Sequence, residues 1–333
     1  MFDPMQVQAE PLWPPETVFA PAGHLFRYRV YGLSVASGLR LDLPEDPAPG
    51  APSVCVEAAS QEYFSRRCAG MELEPDDGSW YRHGFLPDGA IYLRWDGLFQ
   101  FCVAADGRRV MCGSLGAETM ESFQVYLLGH SLGFALVNQG EEPLHATVVT
   151  MDGRTVALLG RCGSGKSTLA AYLLYEGGRL VTDDLLRLSE AEGRYVAHPG
   201  PQRIKLLPEP AGLFMKEAAD MVEMNPDSNK FVIPLPESKR CTAPVALDAL
   251  FLLDWPAADS PGSEARLERL TGREAFLNVI AATFNIRIKT PARLARQFRF
   301  AESLCARLPL YRLSYPREFS VLPHVRQLLW EAV

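Results

Sequence analysis

The chain has 333 residues, 47% of them hydrophobic and 22% charged. That length points to two domains, and the balance is that of a globular protein able to bury its cores without staples. The formal net charge of −7 argues against a broad nucleic-acid surface, which needs clustered Lys and Arg, so no nucleic-acid partner is expected. The seven cysteines are odd in number and form no C-x-x-C pair, which excludes a disulfide framework or structural zinc site as the expectation. No basic leader precedes an apolar run, and no apolar stretch is long enough to span a bilayer. A cytoplasmic protein with no membrane partner is expected.

Residues 1–22 are rich in Pro and polar groups and read as a loose arm. Phe26, Tyr28 and Val30 then alternate with Arg27 and Arg29, the period of a half-buried strand. Short strand runs follow at residues 54–56, 91–95, 99–103 and 109–112. Asp88-Gly89, Asp96-Gly97 and Asp106-Gly107 mark turns among them. Residues 1–113 therefore predict a smaller, mostly antiparallel β-rich domain, and residues 114–333 an α/β domain. Residues 117–138 switch to a helical period, with Met120, Phe123, Leu127, Leu128 and Phe134 on one packing face.

Two strands at residues 145–150 and 155–159 flank Asp152-Gly153, a hairpin signal because both turn positions tolerate positive φ. The second strand runs into Gly160-Arg161-Cys162-Gly163-Ser164-Gly165-Lys166-Ser167, which fits G-x-x-x-x-G-K-[ST] at every fixed position. A helix is predicted at residues 166–175, stopped by Gly177-Gly178. In such a loop backbone N–H groups cradle phosphate oxygens and the helix aims its positive end at the same anion. Lys166 supplies a point charge and Ser167 a hydroxyl for Mg²⁺. ATP and Mg²⁺ are thus the expected cofactors, with residues 160–167 and the adjoining Thr168 as the nucleotide grip. Cys162 reads as an inert loop position. The N-K-x-D of GTPases and the LSGGQ-like segment of transporter ATPases are both missing from the sequence.

A strand at residues 179–182 ends in Asp183-Asp184. Asp254, after the apolar residues 250–253, is a second candidate metal carboxylate, but Trp255 stands where many ATPases place a catalytic Glu. The paired acids are preferred, because open α/β sheets put ligands at strand C-termini and two carboxylates can split metal binding and proton acceptance. Arg203 and Lys205 alternate around Ile204 and are candidates to stabilise a transferring phosphoryl group. Further on, Thr271 and Glu274 predict a capping box. Thr290-Pro291 opens a helix whose Leu294, Phe298, Ala301, Cys305 and Leu308 form an apolar stripe, and a last helix is predicted at residues 321–330.

Leu144-His145-Ala146, the glycine loop, and Gly177-Gly178-Arg179-Leu180-Val181-Thr182-Asp183-Asp184 together resemble the catalytic domain of HPr kinase/phosphorylase. The spacing agrees: His145 lies fifteen residues before Gly160, and Asp183 seventeen after Lys166. The resemblance implies an α/β P-loop kinase core, with Asp183 as general base, His145 its neighbour, and Ser167 and Asp184 as Mg²⁺ ligands. Lys230-Phe231-Val232-Ile233-Pro234 is similar to a segment of that family whose Lys faces the phosphate site. HPr kinases are oligomers, which implies a homo-oligomer here. The sequence departs from the family in lacking E-I-R-G-L-G-I, in carrying Thr168 where a Glu is usual, and in its first 110 residues. The whole chain is more similar to HPr-kinase-related proteins such as lasso-peptide kinases, which phosphorylate a peptide's terminal Ser. The shared features are Tyr31-Gly32-Leu33, the L-H-A strand and a P-x-R-x-K-L segment. An ATP-dependent serine kinase acting on a peptide or protein is the expected function. The alternatives are a kinase of a small metabolite and a non-catalytic nucleotide-dependent binding module.

Overall fold

The computed structural model describes residues 25–333 except 47, 49, 76–79, 117–118, 217–220, 226–227, 255–263 and 285–287. The expected N-terminal arm and Trp255 lie outside the described residues. The chain forms two compact units. One holds Leu33–Gln139 and the described residues up to Arg29; the other holds Val30–Gly32 and Gly140–Val333. No described helix is long and apolar enough to cross a membrane.

The first unit is built on strands β1 (Phe26–Val30), β2 (Leu33–Ser37), β3 (Val54–Ala58), β4 (Glu74–Pro75), β5 (Tyr81–Phe85), β6 (Ile91–Trp95), β7 (Phe99–Val103) and β8 (Arg109–Ser114). They form one eight-stranded sheet in the order β1-β2-β3-β8-β7-β6-β5-β4. The stretch from β4 to β8 is antiparallel, as the turn signals predict, but β3 runs parallel to both β2 and β8. Parallel neighbours need crossovers rather than tight turns. After β3 the chain passes through helix α1 (Gln61–Arg67), where Ser60 Oγ accepts from Tyr63 N at 3.2 Å as an N-cap.

The helical segment expected at residues 117–138 is α2 (Met120–Tyr126), one π-helical turn (Leu127–Ser131) and α3 (Leu132–Asn138). It belongs with the first unit, so that unit ends at Gln139 and not at residue 113. The reason is packing: the Phe123 ring lies 5.3 Å from Phe99 and 5.4 Å from Phe101, both on β7. Gln139 then ties the end of the segment to the carbonyls of Ser53 and Gly107.

The second unit centres on β9 (Leu144–Met151), β10 (Arg154–Leu159), β11 (Arg179–Thr182), β12 (Leu185–Leu186), β19 (Ala249–Asp254), β20 (Arg266–Leu270) and β21 (Leu310–Ser314), strand numbers counting through the whole chain. The intervening strands are β13 (Leu188–Ala191), β14 (Arg194–Ala197), β15 (Arg203–Leu206), β16 (Val222–Asn225), β17 (Ser228–Pro234) and β18 (Val245–Ala246). The main sheet runs β11-β9-β10-β19-β21-β20, with β10, β19 and β21 mutually parallel at its centre. Asp152 and Gly153 turn the β9–β10 hairpin at φ 54° and 76°, as their residue types predict.

Side chains alternate across this sheet. Val149, Val156, Leu158 and Phe251 face helices α4 (Lys166–Tyr175) and α8 (Leu322–Glu331). Ala146, Val148, Ala157 and Leu250 face α6 (Gly272–Ala282) and α7 (Pro291–Arg307). This is a three-layer α/β arrangement, and each fully buried Leu or Val contributes about 1.5–3 kcal/mol. A smaller sheet, β15-β17-β16, and helix α5 (Pro208–Phe214) pack onto the α4 side.

One expectation for the helices fails and another holds only in part, since Ala301, Cys305 and Leu308 of the predicted stripe do pack into the core. Thr271 caps α6 without a side-chain hydrogen bond, because Glu274 turns instead to the Arg312 guanidinium. On α7, Leu294 and Phe298 are exposed, whereas Arg293 and Gln297 are buried. Arg293 reaches the Glu142 carboxylate at 3.2 Å and the carbonyls of Phe284 and Ile288, and Gln297 donates to Thr283 Oγ1 at 2.8 Å. Satisfied polar groups therefore take the inner positions of its first two turns.

Candidate active site

Residues 160–165 connect the end of β10 to the start of α4. Gly160 takes φ 140°, and a Cβ there would sit 2.5 Å from Ser164 Oγ and 3.0 Å from the Leu253 carbonyl. Gly165 is the N-cap of α4 at φ 86°, a left-handed conformation open to glycine at little cost. The first turn of α4 thereby points its N–H groups into the loop. Lys166 is buried, and its ammonium donates to the carbonyls of Gly160 at 2.7 Å and Arg161 at 3.0 Å. Burial holds the Lys166 pKa below its ordinary value, against the opposing attraction of Asp183.

The two acids follow β11 and are presented differently. Asp183 is buried and gathers three donors: Thr147 Oγ1 at 2.7 Å and Ser167 Oγ at 3.3 Å on Oδ1, and the Lys205 backbone N–H at 3.2 Å on Oδ2. Asp184 adopts φ 76°, a left-handed conformation that Asp tolerates better than most residues. Its carbonyl accepts from Ala146 N at 3.1 Å and its carboxylate pairs with the Lys205 ammonium. Thr182 Oγ1 donates to the Leu185 carbonyl at 2.7 Å, bracing the turn.

Other sequence candidates fall around this centre. His145 sits two residues before Thr147 on β9, hence on the same strand face, and it lines a cleft with residues 160–164. Arg203 and Lys205 share one face of β15, with Ile204 buried on the other. Lys230, on the neighbouring β17, lies close enough to depress the pKa values of both Lys166 and Lys205. Burial is the larger cause for Lys205 and brings it down to about 8. Cys162 is exposed on the loop.

The cleft has a volume of about 780 Å³, in the range of small-ligand pockets. Its far wall is the end of β19, Asn278 and Ala282 of α6, Arg312 and Arg317. Because β10 and β19 are parallel and Leu159 pairs with Leu252, the two strand ends bring Gly160 and Asp254 to the same edge. Asp254 is exposed and lies 3.6 Å from Arg312 Nε. The acid set aside in the sequence reading is thus a cleft residue.

Sequence reasoning missed Thr147, Asn278, Arg312 and Arg317. Thr147 alone carried a signal, a hydroxyl in an apolar strand at the same-face spacing from His145. No group of three or more His, Cys, Asp or Glu among the described residues is placed to hold a metal by itself. The donors present are oxygens, Ser167 hydroxyl and Asp carboxylates, and fit Mg²⁺, which takes one or two carboxylates together with substrate phosphates.

No protein-family model matches the chain, and no curated protein does. Among solved structures it is similar to the Hpr(Ser) kinase/phosphatase from Coxiella burnetii. The two are 14% identical, the match covers 57% of this chain and 95% of the other, and the TM-score is 0.31. A likeness of that size assigns no activity to the chain.

Proposed function

We propose that the chain is an ATP-dependent serine kinase that transfers the γ-phosphate to a Ser hydroxyl of a peptide or protein. The observation that carries the reading is the 3.3 Å contact between Ser167 Oγ and Asp183 Oδ1, which joins the acid pair to the glycine loop. The loop N–H groups and Lys166 hold the β and γ phosphates. Ser167 and Asp184 would hold Mg²⁺, which would neutralise charge on the phosphates. Asp183 accepts the proton of the acceptor hydroxyl, and Thr147 fixes the carboxylate for that task. Arg203 and Lys230 face the phosphates and offset the charge spread over the transferring group. His145 lines the cleft beside the loop, two residues before Thr147 on β9. A cytoplasmic location, read from the sequence pattern, and homo-oligomeric assembly, implied by the family resemblance, are parts of the same proposal.

Incubation with γ-labelled ATP against Ser-containing peptides and a panel of hydroxylated metabolites tests it. Label is expected on peptide, and Asp183→Asn should lower the rate about 10²–10⁴-fold while nucleotide binding persists. Label on metabolites alone would replace the acceptor class. Nucleotide binding without any transfer would leave a binding module.

A further inference from the structure

Lys205 meets both acids of the site at once. Its backbone N–H donates to Asp183 Oδ2 at 3.2 Å while its ammonium pairs with Asp184. The side chain is only 14% exposed, and that of Asp184 29%. Its base is fixed by β15, where residue 205 is paired with Val232 of β17. A buried ammonium so held neutralises Asp184 and satisfies its oxygen. A Mg²⁺ ion held by Asp184 would have to share that carboxylate with the ammonium, and Mg²⁺ gives up its water reluctantly. The ammonium and the metal therefore compete for one carboxylate.

We propose that Lys205 is a built-in cation gate on Asp184: it keeps a divalent cation from binding before nucleotide, and moves onto the phosphates when metal and nucleotide enter together. This rests on the kinase reading in assigning Asp184 to the metal. The coupling follows from charge. A metal ion alone has to displace Lys205 from Asp184 into a neighbourhood where Asp183 attracts it but Lys230 and Lys166 repel it. A metal–triphosphate complex brings several negative charges that receive the released ammonium. Order of binding is thereby set by one lysine.

The test uses the full chain and Mn²⁺ alone, followed by the EPR signal of free Mn²⁺. Wild type should bind Mn²⁺ weakly, and Lys205→Met should bind at least about tenfold more tightly, a difference of ~1.4 kcal/mol. Adding Asp184→Asn to Lys205→Met should abolish the gain. Equal Mn²⁺ affinity in wild type and Lys205→Met overturns the gate. Should Lys205→Met fail to fold, the lysine ammonium signals of the wild-type protein give an independent reading. Mg²⁺ plus a non-hydrolysable ATP analogue should shift the Lys205 signal beyond the shift given by the analogue with chelator, and identical spectra overturn the proposal. Neither measurement needs phosphotransfer, so a missing kinase activity and a missing gate are separable results.

Discussion

At the scale of single residues, the site depends on one carboxylate held by three donors from three strands or helices. Thr147 is the only buried hydroxyl among them. Thr147→Val keeps the shape and removes a hydrogen bond to a charged group, worth about 1.5–3 kcal/mol. The expected outcome is a lower kcat with the KM for ATP unchanged, read from steady-state kinetics. Gly160→Ala is predicted to abolish nucleotide binding with circular dichroism unchanged, because the new methyl would lie 2.5 Å from Ser164 Oγ. The strand–loop–helix setting of residues 160–167 and the two acids at the end of β11 were legible in the sequence, since both are matters of local pattern. Thr147 and the Lys205–Asp184 pair were not. The first lies 36 residues from Asp183 in sequence, and the second depends on where β15, a strand of another sheet, places Lys205.

Helix α7 carries the clearest test at the scale of elements. Its sequence reads as an amphipathic helix with a Leu294–Phe298 seam, yet those two side chains are 50% and 56% exposed. Pattern alone cannot separate a packed apolar pair from an exposed one when a buried ion pair takes the inner face. Arg293 is 1% exposed, and its Glu142 partner lies 151 residues away, beyond the reach of any helical period. Arg293→Ala leaves Glu142 buried with a partner removed and is expected to destabilise the fold by about 3–5 kcal/mol. Leu294→Ala should stay within about 0.5 kcal/mol, the range of surface substitutions. Urea denaturation followed by fluorescence decides between these. The capping box failed for a related reason: Glu274 found a stronger, distant partner in Arg312 than the local amide. By contrast, Thr290 caps α7 as read, its Oγ1 accepting from Arg293 N at 3.3 Å. Local chemistry decides where nothing distant competes.

For the molecule as a whole, pH and ligand should move stability in defined directions. His198 is half-buried, its Nε2 is 2.8 Å from Ser189 Oγ, and burial with the nearby Arg187 charge lowers its pKa from 6.5. The unfolded chain then binds more protons between that lowered value and 6.5, so stability rises with pH through this window. The contribution is complete above pH 6.5 and is lost as pH falls through the lowered value. Denaturation midpoints at pH 7.5 and 5.5 should differ less in His198→Asn than in wild type. Nucleotide that binds only the folded chain should add about 2.7 kcal/mol at a hundredfold excess over Kd, seen as a raised melting temperature. Every proposed role in the site depends on residues 160–167 gripping a triphosphate. Titration calorimetry of the full chain with ATP and Mg²⁺ answers this most directly. Saturable binding with one site per chain, lost in Lys166→Ala, is the predicted result; a flat titration of the folded wild-type protein would contradict it.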